Sequence, residues 1–347
     1  MQITVNSLDR KAWNAFLLEQ AQSHPWHSWE WSKYLALFRG RQVLRLVIYD
    51  RQGDVVGLQS IILQPTFPIG TLADSIPMYH FSGPILREDV TQNEREEIHK
   101  ELIRFFDGEL KRYGTVHLTV RIWESDLVDR ACLRQWVYAG FNIREGQTFT
   151  YLMGENQSSI MQRYDHDFRN QVRQGFRRGG SVQLNGQIDV RTVYELYLES
   201  MAEAGARPRY SLQEVALMLN TNENRFRDVY VCKYKGEMVA FAICLKFSCT
   251  AIYWLAGMNR KFREVRPMNL IIDEFIRNSL RQDIRRIDFG GGGTKGLFHF
   301  KRSIGAKLTS VFELTRTYSN LLFRLHQTCQ MLATRASLAS KTSVQFS

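Results

Sequence analysis

The feature that most constrains this chain is an internal repeat of a β-hairpin. In each half, two alternating apolar stretches flank a short polar segment that contains glycine: Leu44–Tyr49 and Val55–Leu63, then Val229–Tyr234 and Met238–Phe247. Such a pattern predicts two antiparallel strands joined by a tight turn. The turn residues match as well, since Gly53-Asp54-Val55-Val56-Gly57 corresponds to Gly236-Glu237-Met238-Val239-Ala240. The chain is therefore expected to contain two copies of one fold.

The elements predicted after each hairpin also correspond. The first half continues with a helix at about 92–111, a strand at Thr115–Ile122, a second helix and a closing strand at Phe149–Leu152. The second half adds a strand at Ala251–Ala256 and then repeats the order with a helix at about 266–280, a strand at Arg286–Phe289, a short helix and a strand at Leu308–Leu314. This order predicts two mixed α/β domains, each with a mostly antiparallel sheet flanked by helices.

The length of 347 residues suits two domains of about 150 residues each. We place them at 1–153 and 154–318, followed by a tail at 319–347 that begins with an amphipathic helix and ends partly disordered. No apolar stretch reaches the ~20 residues of a membrane span, and the first residues do not resemble a secretory signal. We therefore expect a cytoplasmic monomer. The 5 cysteines contain no C-x-x-C pair and the 8 histidines show no metal-ligand spacing, so no metal site is expected. No bound cofactor is expected either.

A net charge of +11 suggests a polyanionic partner, such as RNA, a nucleotide-linked substrate or an anionic membrane surface. Arg169, Arg173 and Arg177 recur every four residues beside an apolar stripe of Phe168, Val172 and Phe176. Guanidinium groups match phosphate oxygens in a bidentate way, so these arginines are candidate substrate-binding residues. A solvated helix face explains the same pattern, and the sequence leaves both interpretations open.

A glycine-rich segment follows the strand that ends near Asp288. Four consecutive glycines precede Thr294-Lys295-Gly296, but neither a dinucleotide fingerprint nor a Walker A loop fits this position and order. A backbone without Cβ atoms allows a substrate to approach closely, so Gly291, Gly292 and Lys295 are candidate binding residues. A flexible turn is the alternative.

The helix predicted after these glycines carries Phe300 and Lys301, both of which are candidate catalytic residues. A lysine among aromatic residues is a candidate for a partly buried cation that binds an anion or stabilises an oxyanion. Backbone N–H groups near Trp254 are further candidate donors, and Asp288 is either a general base or a cap. No Ser-His-Asp or Cys-His set is present, so a covalent enzyme intermediate is not expected. In the aromatic stretch 25–34, which is expected to pack on a core, Lys33 could reach a ligand.

Several segments together resemble the Fem family, aminoacyltransferases of the GNAT superfamily that build peptidoglycan bridges. The resemblance rests on His27-Ser28-Trp29-Glu30-Trp31, on the segment 168–180, on Ala204-Gly205-Ala206-Arg207-Pro208-Arg209-Tyr210, and above all on Asp288-Phe289-Gly290-Gly291 with Phe300-Lys301 and Gly305-Ala306. It implies two tandem GNAT-like domains and transfer of an aminoacyl group from aminoacyl-tRNA to an amine. It also implies that Lys301 lies at the acyl-transfer site and that Lys33, Arg207 and Arg209 bind an acceptor phosphate.

One departure from the GNAT pattern bears on the donor. The glycine-containing loop that usually binds the coenzyme A pyrophosphate is replaced by Asn259-Arg260-Lys261-Phe262-Arg263-Glu264-Val265-Arg266. This favours aminoacyl-tRNA as co-substrate, although the basic residues could replace the lost contacts.

Three hypotheses about function remain. The first is an aminoacyl-tRNA-dependent transferase that acts on a cell-envelope precursor or peptide-like metabolite. The second is an acyl-CoA N-acyltransferase that acts on an amino sugar or other small amine, and the third is a non-catalytic module that binds RNA or a membrane surface.

Overall fold

The computed structural model describes residues 1–37, 41–66, 68–75, 83–123, 130–154, 157–186, 188–220 and 226–344. They form two compact units. Unit 1 comprises Met1–Trp13, Trp31–Gly146 and Val311–Ser347, and unit 2 comprises Asn14–Glu30 and Gln147–Ser310. Both units are discontinuous in sequence, whereas the predicted domains are continuous. The boundary predicted between residues 153 and 154 stays a prediction.

The elements follow in chain order. The first half contains β1 (Gln2–Val5), α1 (Arg10–Glu19), a 3₁₀ turn (Pro25–His27), α2 (Trp29–Ala36), β2 (Gln42–Tyr49), β3 (Val55–Thr66), β4 (Gly70–Asp74), β5 (Ile85–Leu86), α3 (Gln92–Arg112), β6 (Thr115–Trp123), α4 (Arg130–Tyr138) and β7 (Asn142–Leu152). The connecting segment contains α5 (Gln157–Arg163), α6 (His166–Arg177), β8 (Ser181–Leu184), α7 (Val190–Glu203) and α8 (Leu212–Asn220). The second half contains β9 (Arg227–Tyr234), β10 (Glu237–Phe247), β11 (Thr250–Met258), a 3₁₀ helix (Arg260–Val265), α9 (Pro267–Arg281), β12 (Arg286–Asp288), α10 (Lys295–Ser303), β13 (Lys307–Thr317) and α11 (Asn320–Val344).

The two units share one strand order. In unit 1 the order is β1-β2-β3-β4-β6-β13, with β4 and β6 parallel and the other neighbours antiparallel. In unit 2 the order is β8-β9-β10-β11-β12-β7, with β11 and β12 as the parallel pair. The repeat predicted from the sequence is therefore a repeat of structure, and the expected mixed, mostly antiparallel sheet flanked by helices is confirmed.

The last strand of each sequence repeat joins the sheet of the unit that is formed mainly by the other repeat. The end of β7, from Thr150 to Leu152, pairs with β12 in unit 2. The end of β13, from Val311 to Thr317, pairs with β6 in unit 1. This exchange brings residues of the first half of the chain into the sheet of the second, and it supplies residues of the site described below.

Both predicted hairpins are present with boundaries close to those expected, because tight turns and alternating side chains are local signals. The first half also contains a third strand, β4, which the sequence analysis missed. Helix α11 continues to Val344, through most of the tail for which partial disorder was expected. Among the helices of the described residues, none has the length and hydropathy needed to cross a bilayer.

The apolar stripe of α6 differs from the prediction. Phe168, Val172 and Gly175 are buried, whereas Phe176 is about half exposed. A Cβ atom on Gly175 would lie 2.8 Å from the carbonyl oxygen of Val265, so only glycine allows this close approach. Helix α6 therefore packs directly against the segment that precedes α9.

Candidate functional site

The glycine-rich segment follows Asp288, and its first two residues stay hydrogen-bonded to β7: the Phe289 N–H donates to the carbonyl oxygen of Phe149, and the Phe149 N–H donates to that of Gly290. The carboxylate of Asp288 is buried and accepts hydrogen bonds from Thr148 Oγ1 at 2.6 Å and from the Gly290 N–H at 2.8 Å. Burial raises the pKa of Asp288, and these two hydrogen bonds act in the opposite direction. The Gly290 backbone adopts the left-handed conformation (φ 73°) that favours glycine. Asp288 therefore holds the start of the turn as a cap does.

Lys301, on α10, reaches back to the same segment. Its side chain is buried, and Nζ donates hydrogen bonds to the carbonyl oxygens of Phe289, Gly290 (3.1 Å) and Gly291 (2.7 Å). An ammonium group has three protons, so these carbonyls use its full donor capacity. Burial lowers the pKa of Lys301 to about 8, while the charge of Asp288 acts in the opposite direction. In this arrangement Lys301 fixes the conformation of the glycine segment.

Aromatic rings hold α10 in place. The Phe149 ring lies 5.9 Å from Lys301 Nζ and makes an edge-to-face contact with Phe298. Phe300, a predicted catalytic residue, contacts the Phe168 ring of α6 edge-to-face and packs against the core of unit 2. The geometry of Phe300 is that of an anchor for the helix that carries Lys301.

The glycine segment presents its backbone to solvent. Within the part of the chain that the structure describes, the N–H groups of Gly291, Gly292 and Gly293 meet no hydrogen-bond acceptor. They lie beside a pocket of about 390 Å³, whose lining residues are Gln147, Gly292, Gly293, Thr294, Lys295, Phe298 and Leu308. A group of N–H donors next to an open pocket can stabilise a negatively charged oxygen. The exposed side chain of Lys295 adds a positive charge.

A second cluster surrounds Trp254 on β11. Ile252 is the Cα partner of Asp288, so Trp254 lies two residues beyond the point where β11 and β12 part. Its indole N–H donates to Tyr210 Oη at 2.9 Å, and the two rings make an edge-to-face contact. Tyr210 is buried, and its main-chain neighbour Arg209 donates its N–H to Tyr197 Oη at 2.6 Å. These contacts fix the exposed segment that carries Arg207 and Arg209.

The arginines of α6 form a third group. Arg173 and Arg177 are exposed, whereas Arg169 is partly buried, with Nη1 3.4 Å from the carbonyl oxygen of Met161. At the end of α6, Arg178 donates a hydrogen bond to the carbonyl oxygen of Glu264. This contact joins the arginines of α6 to the exposed basic residues of the adjacent 3₁₀ helix: Arg260, Lys261 and Arg263. Together they form a basic surface on unit 2.

The N-terminus of α9 offers few donors for a phosphate group. Pro267, its first residue, has no N–H, and the N–H groups of Asn269 and Leu270 both donate to the carbonyl oxygen of Arg266. Arg266 itself has a left-handed backbone (φ 54°) and provides no side-chain cap. The N–H groups at this turn thus donate within the turn itself, in agreement with the absence of a glycine loop in the sequence.

Comparisons with known proteins agree with this geometry. The family model described as "Acetyltransferase (GNAT) domain" matches residues 163–302, which include the glycine segment and almost all of α10. Over residues 163–302 the chain is therefore similar to a GNAT domain. No curated protein matches the chain in sequence.

Solved structures extend the likeness to the whole chain. The superposition with FemX covers 94% of this chain and 99% of the FemX chain, with 14% sequence identity and a TM-score of 0.76. A tandem GNAT protein from the clavulanic acid biosynthesis pathway covers 91% and 98%, with 13% identity and a TM-score of 0.57. L-PGS from Bacillus licheniformis covers 94% and 96%, with 14% identity and a TM-score of 0.55. The Fem-like tandem GNAT fold expected from the sequence is confirmed.

The predicted site residues divide between the two units. Lys33 is exposed on α2 and belongs to unit 1, whereas all the other candidates belong to unit 2, which contains the residues that match the GNAT model. The structure brings Asp288, Gly291 and Lys301 into one hydrogen-bonded group. It places the Trp254 cluster and the arginines of α6 on other parts of unit 2.

Three residues of the site were missed by the sequence analysis: Gln147, Thr148 and Phe149. They lie on β7 (Asn142–Leu152), of which only Phe149–Leu152 was predicted as the closing strand of the first half. Their contact with the glycine segment depends on the strand exchange. No motif in the sequence marks that exchange, because it pairs segments far apart in the chain.

Proposed function

We propose that this protein transfers an aminoacyl group from aminoacyl-tRNA to an amine of a cell-envelope precursor or peptide-like metabolite. The observation that carries the proposal is the glycine segment. Among the described residues its N–H groups at Gly291, Gly292 and Gly293 have no hydrogen-bond acceptor, Gly292 and Gly293 line a pocket, and Lys301 and Asp288 hold its conformation. Pre-arranged N–H donors of this kind stabilise the oxyanion of acyl transfer.

In the proposed reaction, a neutral amine attacks the carbonyl carbon of the aminoacyl ester. The new C–N bond forms a tetrahedral oxyanion, which accepts hydrogen bonds from the glycine N–H groups. The bond to the ribose oxygen then breaks, and the proton lost by the amine ends on that oxygen. Lys301 acts here by fixing the donors, because its three protons are engaged by carbonyl oxygens.

Two features support RNA as the carrier of the acyl group. At the start of α9, Pro267 has no N–H and the Asn269 N–H already donates to Arg266, so fewer donors remain for a coenzyme A pyrophosphate. The basic surface formed by α6 and the adjacent 3₁₀ helix is suited to the phosphate backbone of RNA. FemX and L-PGS, among the proteins with a similar fold, support the choice of an envelope-related acceptor.

Acyl-CoA-dependent acylation of an amino sugar or other small amine is the second candidate. It is favoured by the match to a family model described as an acetyltransferase domain. The decisive experiment supplies the protein with labelled aminoacyl-tRNA and, separately, with labelled acetyl-CoA, together with a panel of amine acceptors. Transfer from tRNA alone supports the proposal, and transfer from acetyl-CoA alone overturns it.

A binding measurement tests the basic surface. Replacing both Arg173 and Arg177 with Gln should weaken tRNA binding and reduce its dependence on salt, since each phosphate contact adds about −0.9 to the slope of log K against log salt concentration. The matched control replaces Arg104 and Arg112, which are exposed on α3 of unit 1, and should leave binding unchanged. Equal losses in the two double variants would show that only net charge matters.

A further inference from the structure

Helix α11 carries a stripe of exposed leucines. Leu321, Leu325 and Leu332 are 79%, 47% and 58% exposed, and they are spaced by four and seven residues. This spacing places them on one face of a helix. Met331, which is 57% exposed, lies on an adjoining part of the surface. Several exposed large apolar residues on one face of a helix mark a candidate interaction surface.

The opposite side of α11 packs on unit 1. The Phe323 ring stacks on the His117 ring of β6, with centroids 3.9 Å apart and planes within 3°. His326, one turn further along α11, is buried. The orientation of the helix is therefore fixed by its packed side, and the leucine stripe faces away from the core.

The charge of this part of the chain is uniformly positive. From Asn320 to Val344, the length of α11, the sequence contains two arginines and one lysine and no Asp or Glu. Arg324 is one residue from Leu325, beside the stripe, and is exposed. A helix that combines an apolar stripe with basic residues and lacks acidic ones complements an anionic lipid surface, where leucines enter the acyl boundary and cations meet phosphates. A helix that faces only water gains nothing from exposed leucines. A second copy of the chain would place a second set of positive charges beside the first, and like charges repel.

We propose that α11 binds the surface of an anionic bilayer, lying in the interfacial plane with Leu321, Leu325 and Leu332 inserted between the headgroups. The surface is separate from the glycine segment, so this proposal does not depend on the transfer reaction. Anionic lipid phosphates are the ligands of Arg324. Attachment at this helix holds unit 1 at the membrane.

Sedimentation with vesicles tests the proposal directly. The full chain should bind vesicles of phosphatidylglycerol and not vesicles of phosphatidylcholine. Replacing both Leu321 and Leu325 with Ser should lower the bound fraction by about tenfold, because two apolar side chains no longer enter the bilayer. The matched control replaces Leu18 and Leu37, which are 58% and 60% exposed elsewhere, with Ser and should bind as the wild type does. Equal binding by the two double variants would overturn the proposal, as would a failure of the wild type to bind phosphatidylglycerol.

A probe on the helix itself gives an independent readout. Cys329 is exposed on α11, whereas Cys132, Cys232 and Cys244 are buried. With Cys249 replaced by Ser, a polarity-sensitive dye attached to Cys329 should shift its emission to the blue on addition of phosphatidylglycerol vesicles. If the stripe instead joins two copies of the chain, the shift will appear with rising protein concentration in the absence of lipid. Light scattering will then show a dimer that Leu321→Ser abolishes, and that result overturns the proposal.

Discussion

Thr148 Oγ1 donates a hydrogen bond of 2.6 Å to the buried carboxylate of Asp288, and the two residues are 140 positions apart. Thr148 lies on the last strand of the first repeat, and Asp288 begins the glycine segment of the second. Because of the strand exchange, the conformation of the candidate site depends on both halves of the sequence. This relationship gives the first prediction.

Replacing Thr148 with Val should lower the free energy of unfolding of unit 2 by about 1–3 kcal/mol, because a buried carboxylate loses a hydrogen-bond donor. Thr150, two residues further along β7, is a matched control. Its Oγ1 is buried and has no partner among the described residues, so Thr150→Val should cost little. Urea denaturation of both variants measures the difference. Equal destabilisation would show that the Thr148–Asp288 hydrogen bond contributes no measurable stability to unit 2.

The sequence predicted those parts of the fold that depend on neighbouring residues. The hairpins around Gly53 and Gly236 are defined by turn residues and alternation within short stretches, and both are present. The exchange of β7 and β13 depends on pairing between distant segments. Alternation of apolar and polar residues predicts a strand but does not indicate which other strand it pairs with. The sequence could therefore identify β7 as a strand but could not predict that Thr148 and Phe149 belong to the site.

The candidate site shows the same limit. The position of Lys301 among aromatic residues predicted a buried cation, and its side chain is buried. Its three carbonyl partners could not be predicted, because they depend on the path of the glycine segment. Likewise, a spacing of four residues assigned Phe176 to the buried stripe of α6. The structure buries Gly175 instead, since α9 approaches too closely for a side chain.

Lys301→Met should reduce the rate of acyl transfer by about 100-fold or more, because the backbone donors are no longer fixed. If Lys301 acts by positioning, hydrogen exchange at the Gly290 and Phe149 amides should also accelerate. The Gly290 N–H lies in the turn that Lys301 holds, and the Phe149 N–H donates to the Gly290 carbonyl oxygen of that turn. The control is Arg302→Met, a change of the exposed neighbour on the same helix. A lower rate with unchanged exchange would instead indicate that Lys301 contacts the reacting oxygen.

Gly175→Ala should destabilise unit 2 by about 1–3 kcal/mol, because its Cβ atom overlaps the Val265 carbonyl oxygen and the Leu270 side chain. Gly108→Ala provides a control of the opposite sign. That glycine is also helical, and a Cβ atom there meets nothing within 4 Å, so alanine should stabilise α3 by up to about 1 kcal/mol. Thermal or urea unfolding of each variant measures both effects. Stabilisation by Gly175→Ala would contradict the close packing of α6 on α9.

The stability of the fold should depend on pH through Lys301. Burial lowers its pKa from 10.5 to about 8, so between these values the unfolded chain holds a proton on this lysine that the folded chain has released. Since the unfolded state binds more protons, the free energy of unfolding should rise with pH in that window, by up to about 1.4 kcal/mol per pH unit. Urea titrations at several pH values, in wild type and Lys301→Met, isolate this group because other titrations cancel in the difference. A difference that stays constant or falls as the pH increases would mean that the carbonyl cage keeps the ammonium charged and that its pKa is not lowered.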